Sequence, residues 1–167
     1  MKIFSFISLL LSLQTLAFSA SGSIGETGPG NIPHPRLLLL SGEEISIRNS
    51  VAGDEVWAKT HGFIIGECRK MMEKPPVERV MTGRRLLATS REALRRIFYL
   101  SYAWRMTADD GYSERAVDEM KAVAGFSDWN PSHFLDVAEM TMALSLGYDW
   151  LFDRLPAETR ITLVKAI

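Results

Sequence analysis

Within residues 128–140, DWNPSHFLDVAEM, a histidine and two carboxylates recur at steps of three: His133, Asp136 and Glu139. On a helix that spacing keeps the three groups on one slowly drifting strip of surface. A histidine beside carboxylates is the raw material of general acid–base catalysis, and a carboxylate pair flanking a glycosidic bond can hydrolyse it. Asp149 is a further carboxylate that a hydrolase would draw on. The same groups also serve as satisfied structural residues, because an ionisable side chain on a buried helix needs partners. Trp129 offers a face for stacking on a sugar or for anchoring a core. Asn130 suits a helix cap or a ligand contact, and His133 near a helix start can donate to a sulfate or carboxylate. Both readings stand open for each of them.

The cations are unevenly placed. Residues 69–105 hold ten Lys/Arg against three Asp/Glu, whereas residues 106–167 hold five against eleven. Such asymmetry marks either a surface facing a polyanion or a set of solvated helix faces. Arg84, Arg85, Arg95 and Arg96 are the basic candidates for an acidic polymer. The formal net charge is only −1, and no nucleic-acid partner is expected. Cys68 is the single cysteine and is expected to be buried among Ile64, Ile65 and Met71. His34, His61 and His133 lie too far apart in the chain to argue for zinc, so no metal or cofactor is expected.

The elements that must position these residues are read as follows. Lys2, the apolar run 3–18 and the small residues at 19–22 have the layout of a signal peptide, assigned to residues 1–19. The apolar run falls short of the roughly 20 residues of a membrane span. The chain is therefore expected to be exported, periplasmic or secreted, with no membrane attachment after cleavage. Export with one cysteine, and hence no internal disulfide, suits a bacterial periplasm. Residues 20–35, rich in Gly, Ser and Pro, read as a linker.

Residues 36–167 read as helix after helix, with no alternating strand pattern, and the 47% hydrophobic content argues against disorder. Ser41 and Glu44 form an expected capping box for a short helix to about Asn49. From Asp54 the spacing of Val56, Trp57, Thr60, Phe63, Ile64 and Met71 fits one helical face, ending before Pro75 and Pro76. Ser90 is expected to cap the next helix, with Leu94, Ile97, Phe98, Ser101 and Trp104 inward. Ser113 is expected to start another, with Ala116, Val117, Met120 and Val123 inward. Asn130 and Pro131 predict an N-cap and first residue for a helix over 131–146 that is apolar around most of its circumference and therefore buried. An amphipathic stretch from Pro156 to Ile167 follows. The fold class is all-α.

Three stretches together resemble the N-terminal part of the heparinase II/III family of polysaccharide lyases. They are HPRLLL at 34–39 with the SGEEI that follows, FYLSYAWRMTADDGYSERAVDEM at 98–120, and DWNPSHFLDVAEMTMALSLGYDWLFDRLPAETR at 128–160. The resemblance covers about 34–167. It implies antiparallel helical hairpins forming part of an incomplete α/α toroid, with inner helices along a cleft, and cleavage of uronic-acid-containing polysaccharides such as heparin or heparan sulfate by β-elimination. In that chemistry a polar group neutralises the uronate, Tyr or His removes the C5 proton, and an acid protonates the leaving oxygen. The family's catalytic motifs are expected beyond Ile167, so none of the residues here is assigned a catalytic role. The expected partner is an acidic polysaccharide, met by Trp129, Asn130, His133, Glu139, Arg84 and Arg85. Asp136 and Glu139 would repel an anion, so pairing with Arg or capping of backbone is expected of them, and Tyr148 and Asp149 are expected to be architectural. Two alternatives remain: a glycoside hydrolase on the same kind of toroid, and a non-catalytic exported glycan-binding or scaffold protein.

Overall fold

The computed structural model describes residues 33–167. The signal peptide and most of the expected linker therefore lie outside the described residues. The regular structure is helical: α1 (Glu44–Gly53), α2 (Glu55–Met72), α3 (Leu87–Thr107), α4 (Asp110–Ala124), α5 (Phe134–Trp150), a 3-10 turn (Phe152–Arg154) and α6 (Ala157–Ala166). No strand occurs among the described residues, where Thr82 and Arg85 form an isolated bridge. The all-α expectation is met.

α3 is the hub, packing against α1, α2, α4 and α5. Its Ile97, Leu100 and Ala103 meet Ala116 and Met120 of α4 and Met140 and Leu144 of α5 in one core cluster. The helices approach most tightly at Gly147. A Cβ added there would lie 2.7 Å from Ile97 Cγ2 and 2.7 Å from Met120 Sδ. A glycine is what lets α5 seat this deeply between its neighbours. The inward face expected of α4 is observed, since Ala116, Val117, Met120 and Val123 are all buried.

Several boundaries differ from the sequence reading, each for a local reason. Ser41 makes no side-chain cap for α1; Glu44 instead reaches back to Gly42 N (2.9 Å) and pairs with Arg105. α1 also runs on to Gly53, where Asp54 caps α2 by accepting from Val56 N and Trp57 N. α4 begins at Asp110, three residues before Ser113, because Asp109 accepts from Gly111 N. α3 begins at Leu87, ahead of Ser90, whose hydroxyl is turned to Leu87 O and Glu139. Its buried face is broader than a single stripe, since neighbours lie on several sides.

The helix expected from Asp54 is observed, but its apolar face is only partly covered. Val56 and Phe63 are exposed and Trp57 is half exposed, and burial starts only at Cys68 and Met71. Among the described residues α2 packs against α1, which has no buried residue of its own, and against α3, with His61 bonded to Tyr102 (3.0 Å). The all-round burial expected of α5 is likewise halved. Met140, Ala143 and Leu144 are buried, while Phe134, Leu135 and Met142 on other faces are exposed. Among the described residues no helix is long and apolar enough to cross a membrane.

Candidate functional site

The ionisable residues gather around three buried carboxylates, and each carboxylate binds the backbone of a non-helical segment. Asp149, near the end of α5, accepts from Arg36 N (2.7 Å), Leu37 N (2.8 Å) and His34 Nδ1 (2.6 Å). Trp150 adds a bond from Nε1 to Leu37 O (2.8 Å). Asp136, in the first turn of α5, accepts from Leu86 N (2.8 Å), Asn130 Nδ2 (2.8 Å) and His133 Nδ1 (3.1 Å). Glu119 of α4 accepts from Val77 N (2.8 Å) and pairs with Arg96 (3.0 Å) and Arg115 (2.6 Å). A buried backbone N–H outside a helix or sheet must find an acceptor, and a carboxylate is a strong one.

These contacts decide much about the opening strip. Burial alone would push the Asp136 carboxyl up, but the Leu86 N–H, Asn130 and His133 outweigh it and hold it below the ordinary range. Glu139 accepts from Ser90 Oγ (2.6 Å) and Arg91 Nε (3.3 Å). Both carboxylates are thus committed to structural donors, as is Asp149. A general acid must have its proton within reach of a substrate oxygen. Asp136 and Asp149 are buried and fully engaged, which removes the geometric support for a hydrolytic pair drawn from these three residues.

Asn130 departs from its expected role. It adopts a positive φ of 56° and sits in a turn ahead of α5, so neither it nor Pro131 opens the helix. Its amide donates to Arg84 O (3.0 Å) as well as to Asp136, and its Oδ1 accepts from Ser132 Oγ (2.8 Å). His133 occupies the cap position without capping, its ring turned to Asp136. The strip of three is therefore not a helical strip throughout, since helix α5 begins only at Phe134.

Five of the six residues expected to meet a substrate come together here. Arg84 and Arg85 lie on the 82–86 turn, which Asn130 and Asp136 fasten to the start of α5; His133 joins through Asp136, and Glu139 holds the neighbouring first turn of α3 through Ser90 and Arg91. Trp129 stands apart. It is half-buried, donates Nε1 to Val123 O (3.1 Å), and lines a separate open groove of about 330 Å³ with Phe126, Pro131 and Ile167. Arg95 and Arg96 are also separated from the turn: Arg95 pairs with Glu92 and Glu67, and Arg96 is buried against Glu119.

His34 and Glu119 were not singled out as site residues from the sequence. His34 falls inside the expected linker, yet it is stacked on Phe152 at 4.0 Å between ring centroids and bonded to Asp149. Only the i, i+4 spacing of Arg115 and Glu119 signalled an ion pair, and nothing local announced Val77 as the third partner. A cavity of about 250 Å³ beside His34 is walled by Trp104, Arg105, Asp149 and Trp150. Its charged groups are mostly spent on one another: Arg105 binds Glu44 and the Leu39 and Leu40 carbonyls. Among the described residues no group of three or more His, Cys, Asp or Glu is placed to hold a metal ion. Comparison with protein-family models gives no match for this chain, and comparison with curated proteins gives no significant relative.

Proposed function

We propose that this chain forms the N-terminal helical part of an exported polysaccharide lyase, of the heparinase II/III kind, acting on uronic-acid-containing polymers by β-elimination. One observation carries the reading. The HPRLLL and GYDW stretches, which bear the resemblance and lie more than a hundred residues apart, are bonded to each other through Asp149 and Trp150. Their joint occurrence thereby acquires a physical reason, since each completes the other's hydrogen bonding. Helices joined by short turns and the exposed apolar side of α5 are consistent with further helices closing a toroid around it.

In this reading the residues described here hold substrate and architecture, and the groups that move protons lie elsewhere. The exposed cations of the 82–86 turn attract the uronate or sulfate groups of the polymer. The assay therefore uses the whole product of the gene that carries this chain. Incubation with heparin, alginate and polygalacturonate should raise ultraviolet absorbance as unsaturated uronate forms. New reducing ends without absorbance would show hydrolysis instead, and no absorbance gain on any of the three would sink the lyase reading.

A further inference from the structure

We infer that the 82–86 turn and the start of α5 form one subsite for a single acidic sugar unit. In it Arg84 and Arg85 take the anionic group, Phe134 offers its ring to the sugar's apolar face, and Asn130 and Asp136 are positioning residues. The ligand class rests on the polysaccharide reading above; the assembly of the subsite and the role of Phe134 go beyond it.

Arg84 and Arg85 share with Arg69 and Lys74 the lack of an ion pair among the described residues, and differ from them in standing on a held turn. In residues 69–105, Arg79, Arg91, Arg95, Arg96 and Arg105 each engage a carboxylate. The Arg84 and Arg85 side chains make no hydrogen bond or ion pair among the described residues, and both are exposed. Their backbone, by contrast, is tightly held. Thr82 N bonds Arg85 O (2.8 Å), Arg85 N bonds Thr82 O (3.2 Å), and Gly83 supplies the positive φ of 61° that closes the turn. Asn130 Nδ2 then takes Arg84 O, and Asp136 takes Leu86 N. Two free guanidinium groups on a pinned turn lose less freedom on binding than two on a loose loop, which favours the bound state.

Phe134 supplies the second half of the recognition. It is the residue after His133, whose ring is bonded to Asp136, and at 79% it is the most exposed large hydrophobic among the described residues. A sugar ring carries an apolar C–H face that packs on an aromatic ring, and its carboxylate or sulfate is met by Arg in paired hydrogen bonds. The nearby acids do not cancel this. Asp136 is fully buried under three donors, and Glu139 is already held by Ser90 and Arg91.

The experiment is titration calorimetry of the protein with a heparin hexasaccharide, an alginate hexasaccharide and an uncharged dextran oligosaccharide. Wild type is expected to bind at least one acidic probe and not dextran. Arg84→Gln/Arg85→Gln should weaken binding at least tenfold, and Phe134→Ala about fivefold with the salt dependence retained. Asn130→Gly keeps the positive φ accessible while removing the amide, and should weaken binding severalfold with an unchanged circular dichroism spectrum. Arg69→Gln, which removes an exposed cation on α2, should change affinity less than twofold. Binding that survives both the double Arg substitution and Phe134→Ala overturns the subsite and leaves the polysaccharide reading standing. An equal loss from Arg69→Gln also overturns it, in favour of diffuse electrostatics. Failure of wild type to bind either acidic probe, or equal binding of dextran, overturns the subsite together with the reading it rests on.

Discussion

Replacing Asp149 with alanine should release the 34–40 segment from the helical body. The carboxylate serves three donors: His34 Nδ1 and the backbone N–H groups of Arg36 and Leu37. At about 1.5–3 kcal/mol for each bond to a charged acceptor, their sum sets a ceiling of roughly 5–9 kcal/mol. The segment can detach and let its N–H groups meet water, so the ceiling is not reached. What opposes detachment is the Trp150–Leu37 bond, the burial of Leu39 and the Arg105 bonds to the Leu39 and Leu40 carbonyls. The expected loss is therefore about 2–4 kcal/mol, in the range typical of broken buried networks. Urea unfolding followed by circular dichroism should show the midpoint falling by about 1–2 M, given slopes of roughly 1–3 kcal/mol/M. Amide exchange gives the sharper test, because Arg36 and Leu37 N–H should lose protection while the core of α3 keeps it. A loss below about 0.5 kcal/mol, or unchanged protection at those two amides, would refute the claim that Asp149 is the anchor.

Three further outcomes follow from the same packing. Gly147→Ala should lower the melting temperature by several degrees. The gain of about 0.5–1 kcal/mol in helix propensity is outweighed by roughly 1–3 kcal/mol of overpacking against Ile97, whose branched side chain yields less readily than the tip of Met120; a rise in melting temperature would contradict this. Asp136 has a lowered folded-state pKa, so its stabilisation is full above the unfolded carboxyl range near 3.9 and disappears as pH falls through the folded value. Asp136→Asn should therefore be the less stable protein at neutral pH, and the gap in urea midpoints should shrink on acidification; a constant gap would exclude the linkage. Burial pushes the Cys68 thiol up to about 12. A thiol reagent at pH 8 should leave the folded protein unlabelled and label one thiol per chain in denaturant, and rapid labelling of the folded protein would show that Cys68 is accessible.

The helices were legible because their apolar spacing is local information. The inward set of α4 and the Asp54 boundary follow from residues within a turn or two of one another. The failures share a different cause. Ser41, Ser90 and Asn130 are all sound caps by type, yet each hydroxyl or amide was drawn elsewhere or left unused once tertiary partners were present. Val56 and Phe63 have the spacing of a buried face, but spacing says which residues share a face and not whether another element covers it. At the candidate site, Arg84, Arg85, Asn130, His133 and Glu139 were singled out by residue type and are gathered by the fold. Their arrangement was not legible, because the partners that gather them are backbone groups such as Leu86 N and Arg84 O, which leave no mark in a pattern of side chains.

Asp149, Asp136 and Glu119 lie on different parts of two helices, yet each accepts from the backbone of a segment that belongs to no helix: 36–37, 86 and 77. Each also has a second donor that satisfies its remaining valence: His34, Asn130 with His133, and Arg96 with Arg115. A fold built from helices alone would leave these irregular connections to water. Here the connections are partly buried, and an unpaired N–H at such a site costs about 1–3 kcal/mol. Buried carboxylates thus let loops pack against helices without that penalty. They also make the loops stiff, which is what a surface needs if the cations it carries are to stay in register with a ligand. In the proposed function, the cluster that resembles an acid–base site is the fixture behind a binding surface that exposes Arg84, Arg85 and Phe134.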